Sequence, residues 1–363
     1  RNTAYDQKDF ITKINLKLKN QSNLILNFQI SKSSKINRFD KLSELDSTQN
    51  LKFAEWYYGP QKRIMASSIL NLSPSNIFDK GRFIVSYQAI GESRHNRKFG
   101  SEVLYNQNER LDVYSINGDF SKNMYEKLEM LYGFEYTNNL LFSDSNSAII
   151  DASNPSVFLS EDQSFSRYPN DKATHSALAG YFKYLKKINN YSNLNFGLRL
   201  SYNKVNVGWD FNSDEFLNND LNSTFLNQFE SLSLKNLSLT GSFGYVTRIY
   251  KNNKVSINLS SGFRSPNIDD IGKIRENAGI LLIPNTTVKP EKAYTIDFGW
   301  TNFSDKFNSA LNIYYTVLDG TIGRDFFYDS TDTTTNDMST IMYQNDEVYT
   351  MSTYNLGQSE VYG

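Results

Sequence analysis

A chain of 363 residues has room for two compact domains or for one large barrel. Its formal net charge of −1 gives no electrostatic reason to expect nucleic acid, whose binders need a basic footprint, so no nucleic-acid partner is expected. It has no cysteine, which excludes disulfides, thiolate metal sites and a cysteine nucleophile.

Period-two alternation recurs along almost the whole chain, the pattern of strands with one apolar face. The first strand sets Phe10, Thr12, Ile14, Leu16 and Leu18 against Lys13, Asn15, Lys17 and Lys19. A tight turn at 20–23 leads to Leu24, Leu26, Phe28 and Ile30, and a polar loop is expected over roughly 32–50. A hairpin rises through Ile64, Ala66, Ser68 and Leu70, turns at 73–80 and returns through Phe83, Val85, Tyr87 and Ala89. A loop near 99–108 precedes a strand at 111–120, a turn at 121–127, and Leu128, Met130, Tyr132, Phe134 and Tyr136.

The spacing then predicts a long loop over 138–174, a strand at 176–186, a turn, and Leu194, Phe196, Leu198, Leu200 and Tyr202. A second long loop is expected at 204–236. Leu237, Leu239, Phe243 and Tyr245 follow, then Val255, Ile257, Leu259 and Phe263. An irregular excursion leads to Tyr294, Ile296, Phe298 and Trp300, and a turn at 302–307 joins the strand at 309–318. A polar loop from 319 to about 341 precedes a last strand. The chain opens on Arg1 and stops at Gly363 inside what reads as a new strand, so a fragment is expected.

Short turns, starting at Asn20, Ser73, Ser121, Lys187, Lys251 and Asn302, alternate with long polar loops. Consecutive antiparallel strands place all short turns at one end, the asymmetry of an outer-membrane barrel; a Greek-key sandwich would scatter its long connections. The alternating runs are about ten residues, the span of a tilted strand across ~25–30 Å of hydrocarbon. Tyr132, Tyr136, Tyr202, Tyr250 and Trp300 stand near strand ends, where interfacial aromatics belong. The longest clean apolar run, 278–283, is too short for a membrane helix, but alternating strands cross a bilayer without one. A soluble propeller would need a fixed repeat, and none is seen. The expected fold is therefore all-β, an antiparallel transmembrane β-barrel with short periplasmic turns and long extracellular loops.

FRSPN with Asp269 and Asp270, then PNTTVKPEK and an aromatic strand, resembles the box shared by TonB-dependent outer-membrane receptors. Phe263, Pro266, Pro284, Asn285, Pro290 and Glu291 carry the likeness; Ser265 stands where Ala is usual, and Pro284-Asn285 inverts the usual order. The segments at 87–101, 131–139, 196–202 and 311–320 resemble the same family in the expected order, so the likeness covers nearly the whole chain.

The resemblance implies part of a 22-stranded barrel, with about fourteen strands in residues 1–363 and with the N-terminal plug and C-terminal strands absent from this chain. It implies active uptake of a scarce nutrient across the outer membrane of a Gram-negative bacterium, most often an iron complex such as a ferric siderophore or haem. The implied partners are outer-membrane lipid, the protein's own plug, TonB through the absent N-terminal region, and a small-molecule ligand. The look is closest to the haemoglobin, haem and siderophore branch. That branch often carries a histidine between the two halves of the box, and here 263–284 has none. A passive porin-like or adhesin-like barrel and a soluble all-β binding protein are the alternatives.

Five residues are candidate ligand contacts. Arg264 continues the lumen-facing phase as its strand ends, where it can attract an anionic ligand or hold the loop by pairing with a carboxylate. Asn267 can cap a short helix whose first turn holds Asp269 and Asp270, which makes the box a mouth-shaping element. Trp209, with Phe211, reads either as a platform for a ring-bearing ligand or as loop packing. His95 and His175, the only histidines, fall near outward strand ends without metal-site spacing. Acids crowd the long loops (Asp144, Asp210, Asp214, Asp325 and Asp337 among them) but match no calcium-loop template. Lumen-phase Glu129, Glu135, Arg199 and Asp297 are expected to meet the plug. No triad or carboxylate pair suggests catalysis, so no catalytic residue, cofactor or metal site is expected.

Overall fold

A computed structural model describes residues 3–151, 158–164, 166–210, 229–277, 279–304, 307–326, 340–343 and 346–363. The elements run β1 (Gln7–Lys17), β2 (Asn23–Ser33), β3 (Ile36–Asn37), α1 (Phe39–Leu42), β4 (Phe53–Tyr58), β5 (Lys62–Leu72), β6 (Lys80–Lys98), β7 (Val103–Tyr125), β8 (Leu128–Ile150), β9 (Phe158–Gln163), β10 (Ala173–Lys187) and β11 (Ser192–Gly208). They continue with β12 (Ser231–Tyr250), β13 (Asn253–Arg264), α2 (Ile268–Ile271), β14 (Arg275–Asn277), β15 (Ile280–Ile283), β16 (Glu291–Phe303), β17 (Asn308–Asp319), β18 (Ile322–Phe326), β19 (Thr340–Tyr343), β20 (Asp346–Asn355) and β21 (Gln358–Tyr362). No helix is long and apolar enough to cross a membrane.

Thirteen strands form one path, β1-β2-β5-β6-β7-β8-β10-β11-β12-β13-β16-β17-β21, and every neighbouring pair on it is antiparallel. Among the described residues β1 and β21 are the two edges of this path. The alternation becomes a continuous surface because the register keeps apolar positions side by side. Ile14, Leu26, Ser68, Val85, Ile116, Tyr136, Leu178, Tyr202 and Leu237 follow one another across nine strands, each facing the next. All but Ser68 are large hydrophobics, and all of these are exposed. In water such a belt would be costly at roughly 25 cal/mol per Å². Against hydrocarbon it is the solvent-facing surface, while the ladder satisfies the amides between the two edge strands sideways, as a bilayer requires.

All six expected short turns lie at one end. Between β1 and β2, Asn20 (φ 55°) and Gln21 (φ 63°) occupy the left-handed region in succession. Two such residues make the hairpin turn whose twist matches paired strands. Ser22 N–H closes it onto Lys19 O at 3.3 Å.

At the other end the sequence expectation needs correction. The loops expected at 99–108 and 138–174 are largely strand: β6 continues to Lys98, β7 starts at Val103, β8 reaches Ile150 and β9 pairs back onto it. At 23 residues, β7 and β8 climb about 50 Å at the usual rise and tilt, well beyond a bilayer's hydrocarbon. Tyr136 and Tyr202 are therefore mid-strand rather than at strand ends. The expected polar loop at 32–50 gives way to a short excursion: β3, α1 and then β4, which takes the place of β5 alongside β6 from Tyr58↔Arg94 onward. Gly59 (φ 84°) makes the break between β4 and β5; a Cβ there would meet Gln61 N at 2.8 Å.

The last strand expected after 341 does not join the main path either. β20 belongs to a second, smaller sheet, β14-β15-β20-β18 with β19 beside β20, in which β15 and β20 run parallel. Two long-loop connections, one after β13 and one after β17, thus build a single structure at this end.

Its seat is an inversion of phase. On β11 the residues Leu194 to Tyr202 put their apolar side chains outward, but Val205 and Val207 and then Trp209 put theirs on the opposite, inner face, 0%, 3% and 2% exposed. α2 lies there: Ile268 and Ile271 pack with Val205, Val207, Ala173 and Leu141. Trp209 instead joins Phe229, Ile274, Leu281, Ile283 and Val348 under the small sheet.

Candidate ligand-binding site

The box residues form the frame of this end. Asn267 caps α2 as its sequence suggests: its side chain accepts from Asp270 N–H at 3.1 Å, and the Asp270 carboxylate accepts from Asn267 N–H at 2.9 Å. These bonds satisfy two amides that a helix start leaves orphaned. The Arg264 guanidinium holds the same carboxylate at 2.8 and 2.9 Å. Pro266 is fully buried, and Phe263 faces Lys292 on β16.

The second half of the box ties the other connection down. Asn285 donates to Thr353 O at 2.8 Å and accepts from Thr287 N–H at 2.8 Å, just after the buried Pro284. Glu291, following Pro290 and opposite Arg264, accepts from Ile322 N–H at 2.8 Å. Asp269 bridges both connections, at 2.6 Å from Lys273 and 3.2 Å from Arg324. Lys273 is almost fully buried, which lowers its pKa against the carboxylate's opposing pull.

Trp209 is closed off rather than an open platform, and its indole N–H donates to Gly272 O at 2.7 Å. Phe211, Asp214 and Asp337 lie outside the described residues. His175, on the inner face of β10 between Asn139 and Val205, bonds Asn203, and its Nε2 is buried. His95 stacks on Tyr57 (4.5 Å between centroids, 18°), with Nδ1 2.6 Å from Asn106 Oδ1 and Nε2 2.9 Å from Ser93 Oγ. Burial pushes its pKa down. Of the lumen-phase charges, Arg199 pairs with Glu135 at 2.8 Å, and Asp297 accepts from Asn258 at 3.3 Å.

The concavity at this end lies elsewhere. A cavity of about 630 Å³ is walled by α1 and β4, the far ends of β6 and β7, residues 166–167, and the β14–β15 edge of the small sheet. Six cationic side chains line it (Arg38, Lys41, Lys52, Arg94, Arg167 and Arg275) with one carboxylate, Glu44, and three rings, Phe53, Trp56 and Tyr58. Arg38 lies 4.6 Å from the Trp56 ring centroid, donates to Tyr58 Oη at 3.0 Å and pairs with Asp40. Arg94 lies 5.5 Å from the Tyr58 ring and 2.7 Å from buried Glu109. Burial raises the Glu109 pKa while Arg94 and Arg167 oppose the rise. Lys41 and Lys52 share Glu44 at 2.6 and 2.8 Å.

Strand parity decides which neighbours enter this cavity. Arg94 and Asn96 point into it with their partners Tyr58 and Trp56, whereas His95 and its partner Tyr57 point the other way. The sequence reading fixed on the histidine and missed the residues flanking it. The signal was present: Phe53-Ala-Glu-Trp-Tyr-Tyr followed by Gly-Pro reads as a short aromatic strand with a break. Planar cations beside half-buried rings, gathered around one carboxylate, suit an anionic ligand with flat groups. Among the described residues no cluster of His, Cys, Asp and Glu could hold a metal ion.

Residues 3–363 match the family model described as TonB dependent receptor-like, beta-barrel. No curated protein sequence matches the chain. Among solved structures, the Serratia marcescens hemophore receptor HasR, in complex with its hemophore HasA and heme, aligns with TM-score 0.69 and 12% identity, over 99% of this chain and 51% of that one. The copper transporter OprC aligns with TM-score 0.65 and 12% identity, over 99% and 49%. The siderophore receptor PirA from Acinetobacter baumannii aligns with TM-score 0.63 and 12% identity, over 100% and 50%. The chain spans about half the length of these structures.

Proposed function

The chain belongs to the TonB dependent receptor β-barrel family, and from that premise we propose that it forms part of the wall of an active importer in the outer membrane of a Gram-negative cell. The short-turn end faces the periplasm, and the end bearing α2 and the small sheet faces outward. The plug, the segment that meets TonB, and the strands that join β1 to β21 belong to the rest of the protein. The cargo is a scarce nutrient in the form of an anionic iron complex. The family is one of receptors and transporters, and the site fits binding rather than catalysis.

The observation that carries this reading is the cavity walled by Arg38, Trp56, Tyr58, Arg94, Arg167 and Arg275. Ferric iron is a hard cation, and ligands that wrap it octahedrally in carboxylate or catecholate oxygens leave the complex negatively charged, with any catecholate rings presented at its surface. Arginines beside aromatic rings complement both properties. Neither of the chain's two histidines lines the cavity, so it offers charge and ring faces rather than an axial nitrogen. That favours a siderophore complex over haem within this site.

The test is growth of a gene-deletion strain on defined iron sources, paired with binding of those complexes to the purified full-length protein. Loss of growth on one anionic ferric complex, restored by the wild-type gene, is the expected result. Unchanged growth on every iron source, with no binding, would sink the iron reading.

A further inference from the structure

The apolar outer face carries a second constellation, unrelated to the cavity. Lys8, Lys32 and Lys62 are direct cross-strand neighbours on β1, β2 and β5. They share the face of Phe10, Ile30 and Ile64, which form the next row toward the short-turn end. All three lysines are exposed, and none has an ion pair among the described residues. Further along the row Lys62 faces Gly91, and then Arg110, which already holds Asp112 at 2.9 Å. Like charges set directly opposite one another destabilise a sheet, so three in succession call for an anion above them.

A groove begins one step below. On β5 the outward residues after Ile64 are the small Ala66 and Ser68. They are flanked by Leu26 and Phe28 on β2 and by Val85 and Tyr87 on β6. The dip between these larger side chains is a furrow of about 540 Å³, closed at its sides by Ile14 and Tyr114. It lies wholly on the face that meets hydrocarbon, in line with Lys62 on the same strand.

We propose that Lys8, Lys32 and Lys62 together with this furrow are a site for one outer-leaflet lipid with a phosphorylated headgroup. Its phosphates lie across the lysine row, and an acyl chain lies over Ala66 and Ser68. The inference rests on the reading of the chain as an outer-membrane wall, but it is independent of the cargo. Ammonium groups release counterions and gain charge-assisted bonds on meeting phosphate, and their stems lie along the apolar row beneath. The furrow sets this arrangement apart from lysines that merely reach for the interface, because it makes one acyl position better than its neighbours.

The test uses the full-length protein in phosphatidylcholine nanodiscs doped with diphosphoryl lipid A or its dephosphorylated form. Retained lipid is counted by native mass spectrometry. The wild type is expected to retain the diphosphoryl form about tenfold better than the dephosphorylated one, and K8Q/K32Q/K62Q to remove that preference. A66L/S68L fills the furrow without changing charge and is expected to lower retention of both forms. Uptake of the iron complex stays unchanged in both variants, since the cavity is on the other face. Equal retention of both lipid forms by the wild type would overturn the proposal, as would full preference in the triple lysine variant. Displacement of the lipid by millimolar inorganic phosphate would reduce the row to a free-anion site and overturn it too. A wild type that inserts and binds lipid but transports nothing would overturn the importer reading alone.

Discussion

Arg264 and Asp270, six residues apart, form a two-pronged ion pair at 2.8 and 2.9 Å, and the same carboxylate closes the cap of α2. One side chain therefore fastens both the end of β13 and the start of the helix. Asp270→Ala removes both functions and is expected to cost about 1–2 kcal/mol in the local opening of 264–272. Arg264→Ala removes only a pair whose cation is 44% exposed, which solvent screens to about 0.5 kcal/mol. Hydrogen exchange across α2 separates the two; equal protection in both variants would show that the cap contributes nothing.

Binding of the proposed anionic iron complex is expected to depend on the cavity cations. Arg275→Glu and Arg94→Glu each weaken affinity about tenfold or more, because a charge-assisted hydrogen bond gives way to like-charge repulsion. Trp56→Ala lowers it less, by removal of a ring face. His95→Ala leaves affinity within about twofold of wild type, because its strand parity turns it away. Titration of the four variants with one ferric complex checks the pattern, and the His95 result is the sharpest part of it.

His95 also predicts a pH response. Burial holds its folded pKa below the ordinary value of 6.5, so between those two values the unfolded chain binds more protons than the folded one. Its contribution to stability is thus fully present above about pH 6.5 and is lost as the pH falls through that value toward the folded pKa. Protease nicking within 34–61 is expected to rise between pH 7.5 and 5.5 in the wild type. His95→Gln should flatten that rise; an unchanged pH dependence in the variant would place its cause elsewhere.

Adjacent residues on β13 predict opposite outcomes. Leu259 faces Phe243 and Ile296 on the outer belt, and Ser260 lies on the polar face beside Ser242 and Thr295. Leu259→Arg should cost about 2–4 kcal/mol of insertion free energy, and Ser260→Arg at most about 1. Folded yield in lipid vesicles reads both. Comparable losses would contradict the assignment of faces.

The wall was legible because a bilayer enforces a simple code: one apolar residue in two, over about ten residues, between short turns. Leu194 to Tyr202 follow that code and were placed on the correct face. The frame was legible at Asn267 for a local reason, since a capping box is written within four residues. Beyond the belt the code lapses. β7 and β8 continue with Asn106, Gln107, Glu109, Ser143 and Ser145, and polar residues on both faces read as loop although the ladder goes on. Val205 and Val207 keep the alternation with their phase reversed, so a reading tuned to one apolar face mistook them for loop. The cavity was least legible of all. Arg38, Trp56, Arg94, Arg167 and Arg275 come from five separate segments, and only the pairing of β4 with β6 and the folding over of the small sheet bring them together.

The reversal on β11 also sets what this chain can tolerate in length. Tyr202 must face lipid and Val205 must face α2, so the two are fixed to opposite parity by an interval of three. An insertion or deletion of one residue between them would preserve either the membrane belt or the seat of the mouth, never both, whereas a change of two would preserve each. Among natural variants of this chain, length changes between Tyr202 and Val205 should therefore be restricted to even numbers.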